Sequence, residues 1–415
     1  MEQALIVPLA RVVFFLIVLA VAPARAAVLA AYTVLGSDGA VARAVVDDAA
    51  CPAIEIDGSS ATMQVRVAAD TRFPLVCEAA LPPAASTARI GAMALPLPKP
   101  EVRRIALFGD SGCRVDRNTF QSCNDPAVWP FARTSAAAAA LAPDLVIHVG
   151  DYYYRERPCP AGNSGCAGTP SGDDWLAWQA DFFIPARPLL AAAPWVVVRG
   201  NHENCDRGGT GFFRLLDPRP YPATCPDVSA IYRVMAGALP LYVLDSGEAS
   251  DTITSGDLVE RYRTQFAALR PSPGGWLLTH RPLWGVVRVG AAIGLSLLVN
   301  DNATLQEATR NALPDGLEMV VSGHVHLFEA LGFADRRPPQ LILGTAGSAL
   351  DQEITTDLVG RAIGGTTIAY GRTLHAFGVT TMERSGQGWA ATLRDEEGRP
   401  RFTCTVADRA VSCAP

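Results

Sequence analysis

The 415-residue chain has only six histidines, and three of them, His280, His324 and His326, follow apolar runs. Leu317-Glu318-Met319-Val320-Val321-Ser322 leads into Gly323-His324-Val325-His326, and Trp276-Leu277-Leu278-Thr279 leads into His280. Upstream, Arg104-Ile105-Ala106-Leu107-Phe108 leads into Gly109-Asp110, and Leu145-Val146-Ile147-His148-Val149 into Gly150-Asp151. Trp195-Val196-Val197-Val198-Arg199 leads into Gly200-Asn201-His202-Glu203. Carboxylates and amide oxygens suit hard cations, imidazoles suit divalent transition ions, and one carboxylate can bridge two ions. A single such ending carries little weight; the whole set in one chain points to a metal centre. His324 and His326 occupy alternating positions and face one side if the segment is extended.

The apolar runs read as buried strands, and α/β folds place their chemistry at the carboxyl ends of strands. The α/β pattern begins at Val102. A loop with Cys113 and Cys123 follows the first strand, then a largely alanine helix from Val128 to Leu141. Residues 155–173 form a Gly/Pro-rich loop, and Asp174 to Ala186 reads as a helix with Trp175, Trp178 and Phe182 on one side. The loop from Asn204 to Pro226 is expected to overhang the site. Ile231–Met235 and Leu241–Asp245 read as an antiparallel pair, and Asp257–Leu269 and Thr304–Leu313 as helices. The apolar stretch Gly285 to Val299 reads as a lid, a pocket wall or plain core. Further strands are expected at 327–333, 340–344, 367–379 and 388–394.

Residues 27–100 read as a separate small β-rich domain with a stiff proline-rich join, Leu95-Pro96-Leu97-Pro98-Lys99-Pro100, and 101–415 as the catalytic domain. Residues 1–26 read as a secretory signal peptide: Arg11 precedes an apolar run from Val12 to Ala22, and Ala24-Arg25-Ala26 supplies a cleavage site. The expected location is therefore periplasmic or extracellular, with no membrane span in the mature chain. All ten cysteines follow the signal, which argues for disulfides in an oxidising compartment. Neighbour pairing would join Cys51 to Cys77, Cys113 to Cys123, Cys159 to Cys166, Cys205 to Cys225 and Cys404 to Cys413; the sequence leaves the connectivity open. The formal charge of −6 comes without a basic tract, so a nucleic-acid polymer is not an expected partner. Nothing specifies an oligomeric state. Asn302-Ala303-Thr304 is a formal glycosylation sequon.

The order of motifs resembles the calcineurin-like metallophosphoesterase superfamily, and within it the purple acid phosphatases. The motifs are Gly109-Asp110-Ser111-Gly112, Gly150-Asp151-Tyr152-Tyr153-Tyr154, Gly200-Asn201-His202-Glu203, His280 and Gly323-His324-Val325-His326. The resemblance implies a four-layer α/β/β/α sandwich with a dinuclear metal centre. It implies that Asp151 bridges the ions, that Asp110, Tyr154 and His326 complete a first site, and that Asn201, His280 and His324 complete a second. Gly112 stands where the broad superfamily has a histidine, and Tyr154, three residues after Asp151, is the replacement that purple acid phosphatases use. Phenolate and carboxylate favour Fe(III) at the first site; an amide oxygen with two imidazoles suits Zn, Fe(II) or Mn at the second.

The implied reaction is hydrolysis of a small-molecule phosphomonoester by metal-activated water, with Asp151, Asn201 and His202 as the catalytic set. His202 is the candidate to contact phosphate and protonate the leaving alkoxide. Glu203 is expected to orient His202, Trp284 to wall the leaving-group pocket, and Glu329 to help fix the last ligand loop. Arg114 and Arg281 border the ligand loops as phosphate or salt-bridge residues. His148 reads as a packed or supporting residue and His375 as structural. A second histidine that commonly follows the lone histidine ligand in the family is missing here. A phosphodiesterase or nucleotidase would use the same centre, and a catalytically silent binding protein on the same fold is the more distant alternative.

Overall fold

The parallel strands at the middle of the molecule are short, apolar and buried on both faces, as strands covered on two sides must be. A computed structural model describes residues 27–290, 296–310, 312–386 and 388–414; the signal peptide expected at 1–26 lies outside the described residues. In the first sheet Arg104–Phe108, Leu145–His148 and Trp195–Val197 run parallel to one another. In the second, Leu239–Leu244, Gly275–Thr279, Leu317–Ser322 and Gln340–Leu343 do the same. Antiparallel strands extend both: Val379–Ser385, Gly388–Arg394, Pro400–Ala407 and Ala410–Cys413 flank one side of the first sheet, while Phe328–Phe333 and Thr366–Leu374 flank the second.

The two sheets pack face to face. Leu107, Ile147 and Val196 of the first meet Val243, Trp276, Leu278, Met319 and Leu341 of the second in one apolar core. The outer face of the first sheet is covered by the helices Phe131–Ala140 and Gly209–Leu215, with the helical stretch from Trp175 to Phe183 between them. Gly256–Ala268 and Ala303–Thr309 cover the outer face of the second. This is a four-layer α/β/β/α sandwich. Trp175, Trp178 and Phe182 all turn inward, as their spacing requires.

Segment 27–100 is β-rich as expected, but its longest strands do not close a sheet of their own. Ala27–Gly36 pairs in parallel with Trp195–Val197 through Val34 and Trp195, and Gly39–Asp47, Leu75–Leu81 and Gln64–Val67 continue the same sheet. Buried Arg43 and Arg66 lock the join, donating to the carbonyls of Leu215, Asp217 and Phe213 at 2.8–3.0 Å. Alternation reports that a strand has a buried face; it cannot report which sheet supplies the cover. Only the short strands Ala53–Ile56, Ser59–Thr62, Ala88–Ile90 and Met93–Ala94 form a separate sheet.

The cysteines pair as nearest neighbours, Cys51–Cys77, Cys113–Cys123, Cys159–Cys166, Cys205–Cys225 and Cys404–Cys413. Such bonds persist in oxidising compartments, which suits an exported protein. Among the described residues no helix is long and apolar enough to cross a membrane.

Candidate metal centre

The carboxyl ends of the two parallel sets meet along one edge of the sandwich, and the loops leaving them interlock. The Gly109 amide donates to the Leu343 carbonyl at 2.9 Å, the Asp110 amide to Gly150 at 2.9 Å and the Gly323 amide to His280 at 3.0 Å. Asp110, Asp151 and His324 take positive φ values of 60°, 60° and 70°. Three non-glycine residues in that sparsely populated region, each costing on the order of 1 kcal/mol or more, mark a site whose surroundings enforce them.

The Tyr154 hydroxyl lies 2.7 Å from Asp151 Oδ2, 2.8 Å from His326 Nε2 and 3.1 Å from Asp110 Oδ1. His280 Nε2 lies 3.2 Å from Asp151 Oδ2 and 3.0 Å from Asn201 Oδ1. Asp110, Asp151 and His326 offer ligand atoms within 4.8 Å of one another, and so do Asp151, His280 and His324. Asp151 therefore belongs to both groups. The structure brings together every residue expected to hold a metal.

Donor chemistry tests whether ions fit. Asp110 and Asp151 are buried, and among the described residues no lysine or arginine pairs with either. Two adjacent buried carboxylates faced only by His280 and His326 must keep those rings protonated, and a metal ion takes over that charge balance. The histidines are also prepared. His280 Nδ1 faces the Val149 carbonyl at 2.8 Å and His326 Nδ1 faces the Ala349 carbonyl at 2.7 Å. Only an N–H satisfies a carbonyl, so in the neutral form of both rings Nε2 carries the lone pair that points into the centre. Burial and the two carboxylates push the Tyr154 phenol well above its ordinary range; releasing its proton calls for a strong nearby positive charge. Gly112 completes the fit: a Cβ there would come within 2.8 Å of the Tyr152 carbonyl and 2.9 Å of Tyr154 Cδ2. The tyrosine ring fills the space that a side chain at position 112 would need.

Around these groups stand residues that no motif announced. Asp181 accepts from the amides of Tyr154 and Arg155 at 2.8 and 3.0 Å and from that of Cys113 at 3.0 Å, fixing the loop behind Tyr154. Asp351 accepts from the His326 amide at 2.9 Å. Asp251 Oδ2 lies 3.1 Å from His324 Nε2, and its other oxygen takes Asn302 Nδ2 at 2.7 Å and the Arg281 guanidinium. Asp301 Oδ2 is 3.9 Å from the same His324 nitrogen. Asp181 lies in a helix and Asp301 ends a strand, while Asp251 and Asp351 sit in loops beside the expected site.

His202 is buried against the Tyr154 ring, with centroids 3.7 Å apart. Its Nδ1 is 2.7 Å from Glu156 Oε1, and Arg207, bonded to the same carboxylate, lies 2.7 Å from Nδ1 and 3.0 Å from Nε2. Burial, then Arg207, lowers the His202 pKa, while Asp151 and Glu156 oppose the shift. Glu156 therefore holds this ring, and the expectation that Glu203 does so is corrected. Glu203 instead accepts the amides of Gly200, Asp151, Tyr152 and Tyr153 at 2.9–3.1 Å, tying two strand-end loops together. Burial raises its carboxyl to about 8, with Asp151 adding to the effect and the amides opposing it.

A cavity of about 840 Å³ opens over the centre, bordered by His202, Arg207, Arg114, Arg281 and Asp351. Arg114 and Arg281 are both ion-paired, to Asp116 and Asp251. Trp284 does not wall this cavity: it is buried behind the second sheet, edge-on to Phe333 and covered by Arg337. The wall is the hairpin of Gly285–Val289 and Leu297–Asp301. Glu329 also sits under that hairpin, accepting from the Val286 amide at 3.2 Å. His148 is packed between Phe108 and Tyr152 and bonds Ser111 at 2.9 Å, and His375 is exposed beyond a strand end. Asn302 of the sequon is fully buried and caps a helix through the Leu305 amide.

Among solved structures, the chain is similar to a purple acid phosphatase, PPD1, from yellow lupin (Lupinus luteus) seeds. The TM-score is 0.57 at 15% identity, over 90% of this chain and 73% of that one. At that identity the likeness speaks for the fold. A weaker likeness, TM-score 0.42 at 10% identity over 74% of this chain and 89% of the other, is to GAP50, the anchor in the inner membrane complex of Plasmodium. No curated protein matches the sequence. The family model of the calcineurin-like phosphoesterases matches residues 103–328, more than half of the chain and the span that carries every residue expected to hold a metal. The chain belongs to the calcineurin-like phosphoesterase family.

Proposed function

We propose that the protein hydrolyses phosphomonoesters with two metal ions. In this reading Asp110, Asp151, Tyr154 and His326 hold Fe(III), and Asp151, Asn201, His280 and His324 hold Zn, Fe(II) or Mn. The observation that carries it is the convergence of the Tyr154 hydroxyl, two buried carboxylates and His326 Nε2 on one point. A phenol with two carboxylates is a hard donor set, which favours a trivalent ion, whereas an amide oxygen with imidazoles suits a divalent one. When bound, the ions supply Lewis acidity toward the phosphoryl oxygens and activate water for in-line attack.

The remaining work falls to side chains. Nδ1 of His202 is held by Glu156 at 2.7 Å and Arg207 lies 3.0 Å from Nε2; with Arg207 drawn to the phosphoryl oxygens, His202 as imidazolium donates its Nε2 proton to the departing alkoxide. Arg207, fixed by the same carboxylate, adds positive charge where the phosphoryl oxygens gather theirs. Glu203 keeps Asp151 and Asn201 in register by binding the amides of both loops.

Metal content and visible spectrum, measured beside turnover of p-nitrophenyl phosphate and its bis ester, test the reading. The expected result is about one iron and one divalent ion per chain, preference for the monoester, and a broad visible band that Tyr154→Phe abolishes. Two zinc or manganese ions in active protein without a band would remove the iron assignment alone. Preference for the bis ester would replace the phosphatase with a diesterase. Folded, disulfide-bonded protein that takes up no metal and turns over neither ester would leave a silent member of the family.

A further inference from the structure

The hairpin of Gly285–Val289 and Leu297–Asp301 is the part of the cavity that metal chemistry does not account for. Its register sets Gly285 opposite Asp301, Val287 opposite Val299 and Val289 opposite Leu297. Side chains alternate across a strand, so these rungs share one face. Val287, Val289, Val299 and Asp301 line the same cavity as the candidate metal donors, together with Arg288 and Asn300 of the same hairpin. Val289 and Val299 are 37% and 36% exposed, and Leu297, paired with Val289 beyond the cavity lining, is 53% exposed; together they form an apolar stripe that a phosphoryl group has no use for.

The stripe is held at a definite distance from the centre. Asp301 Oδ2 at its base is 3.9 Å from His324 Nε2. At roughly 3.3 Å per residue, the Val287–Val299 rung lies about 7 Å beyond that base and the Val289–Leu297 rung about 13 Å. Arg361 ties the strand in place, donating to Asn300 Oδ1 at 2.7 Å and the Leu298 carbonyl at 2.8 Å. The hairpin is thus a fixed wall, and the cavity is of a size that encloses a small molecule.

We propose that this hairpin selects the leaving group, and that the substrates are phosphomonoesters of apolar alcohols, alkyl or aryl, that extend along both rungs. The proposal rests on the phosphomonoester reading above. Sugar and glycerol phosphates keep their hydroxyls hydrated and gain nothing from such a wall, whereas each methylene laid against it leaves water.

The test is kcat/KM of the metal-loaded protein for soluble n-alkyl phosphates from ethyl to octyl, with glycerol phosphate alongside. Expected is a rise of about two- to fourfold per methylene, levelling once the chain passes the second rung. The double variant Val287→Ser/Val299→Ser should flatten the series, with its metal content showing that the centre is assembled. A flat series in the unaltered protein that still hydrolyses glycerol phosphate overturns the proposal and leaves the phosphatase standing. Hydrolysis of no monoester removes both. A slope that survives the double variant overturns the assignment to the hairpin, and so does a response that begins only when the esters form micelles, which would identify a surface-docking element.

Discussion

The two halves of the candidate centre are built from the same kinds of residue but held in different ways. Asp110, Tyr154 and His326 lie in contact with one another; the His326 imidazole has the Ala349 carbonyl behind it, and the buried Asp181 carboxylate holds the amides of the loop behind Tyr154. On the other side His280 has the Val149 carbonyl, but His324 depends on the side chains of Arg281, 2.8 Å from its Nε2, and Asp251, 3.1 Å from it, the latter tied to Arg281 and Asn302. The side chain of His324 is 18% exposed against 5% for His326. A backbone partner moves only if strand ends move, whereas a side-chain partner can swing. The difference teaches that one half is set by the fold and the other by a loop network, so the first ion should be the slower to exchange.

Asp151 is common to both halves, and Asp151→Asn should have the largest effect. We expect both ions to bind weakly and hydrolysis to fall on the order of 10³-fold. Loss of one ion alone, seen by elemental analysis, would break the assignment of Asp151 as the shared group.

The carboxylates behind the halves differ as well. Asp181 is satisfied by amides and by Arg155 at 2.6 Å, whereas Glu329, under the hairpin, has one amide and an oxygen without a partner among the described residues. Burial raises the Glu329 carboxyl from 4.5 to about 8. The folded chain then keeps a proton that the unfolded chain releases near pH 4.5, so this contribution to stability is full at low pH and lost as pH rises to about 8. Urea unfolding should show Glu329→Gln gaining on the natural sequence across that range, by on the order of a few kcal/mol at its upper end. Parallel stability curves would show that Glu329 ionises freely.

Asp251→Asn sharpens the comparison most directly. Chelator competition should show the second ion weakened by about 10- to 100-fold and the first unchanged. Equal loss of both ions would mean that the halves are not independently supported. The smallest effect expected is that of Gly112→Ala, whose new methyl presses on Tyr154. It should cost about 1–2 kcal/mol in unfolding and shift the tyrosine-dependent band while sparing the second ion. An unaltered band would show that the ring has room to spare.

Much of the centre was legible because its donors directly follow apolar runs. A strand end and the two or three residues after it form a local unit, so Asp110, Asp151, Asn201, His280, His324 and His326 could be found from the runs alone. Tyr154 followed from its distance to Asp151 once the family resemblance was in hand. Glu156, Arg207, Asp181 and Asp251 were not legible. Glu156, Arg207 and Asp251 come from loops whose course is set by packing, Asp181 comes from the helical stretch behind the first sheet, and a charged residue in such places is too common to be a signal. Glu203 and Trp284 show the converse: adjacency in sequence suggested contacts with His202 and with the pocket, and the folded chain gives Glu203 to backbone amides and Trp284 to the core.

What the sequence determined by itself was therefore local: which runs are buried strands, which residues stand at their ends, which cysteines are near enough to close short loops, and hence the family. What only the tertiary structure decided was everything that needs two distant segments in register. That includes the N-terminal strands completing the first sheet through Val34 and Trp195, the support of His324 by Asp251, and the valine-lined hairpin facing the metal donors. The physical reason is that a side chain's type fixes whether it is buried and what it can bind, while its partner depends on the packing of whole sheets, to which many residues contribute a little and none decides alone.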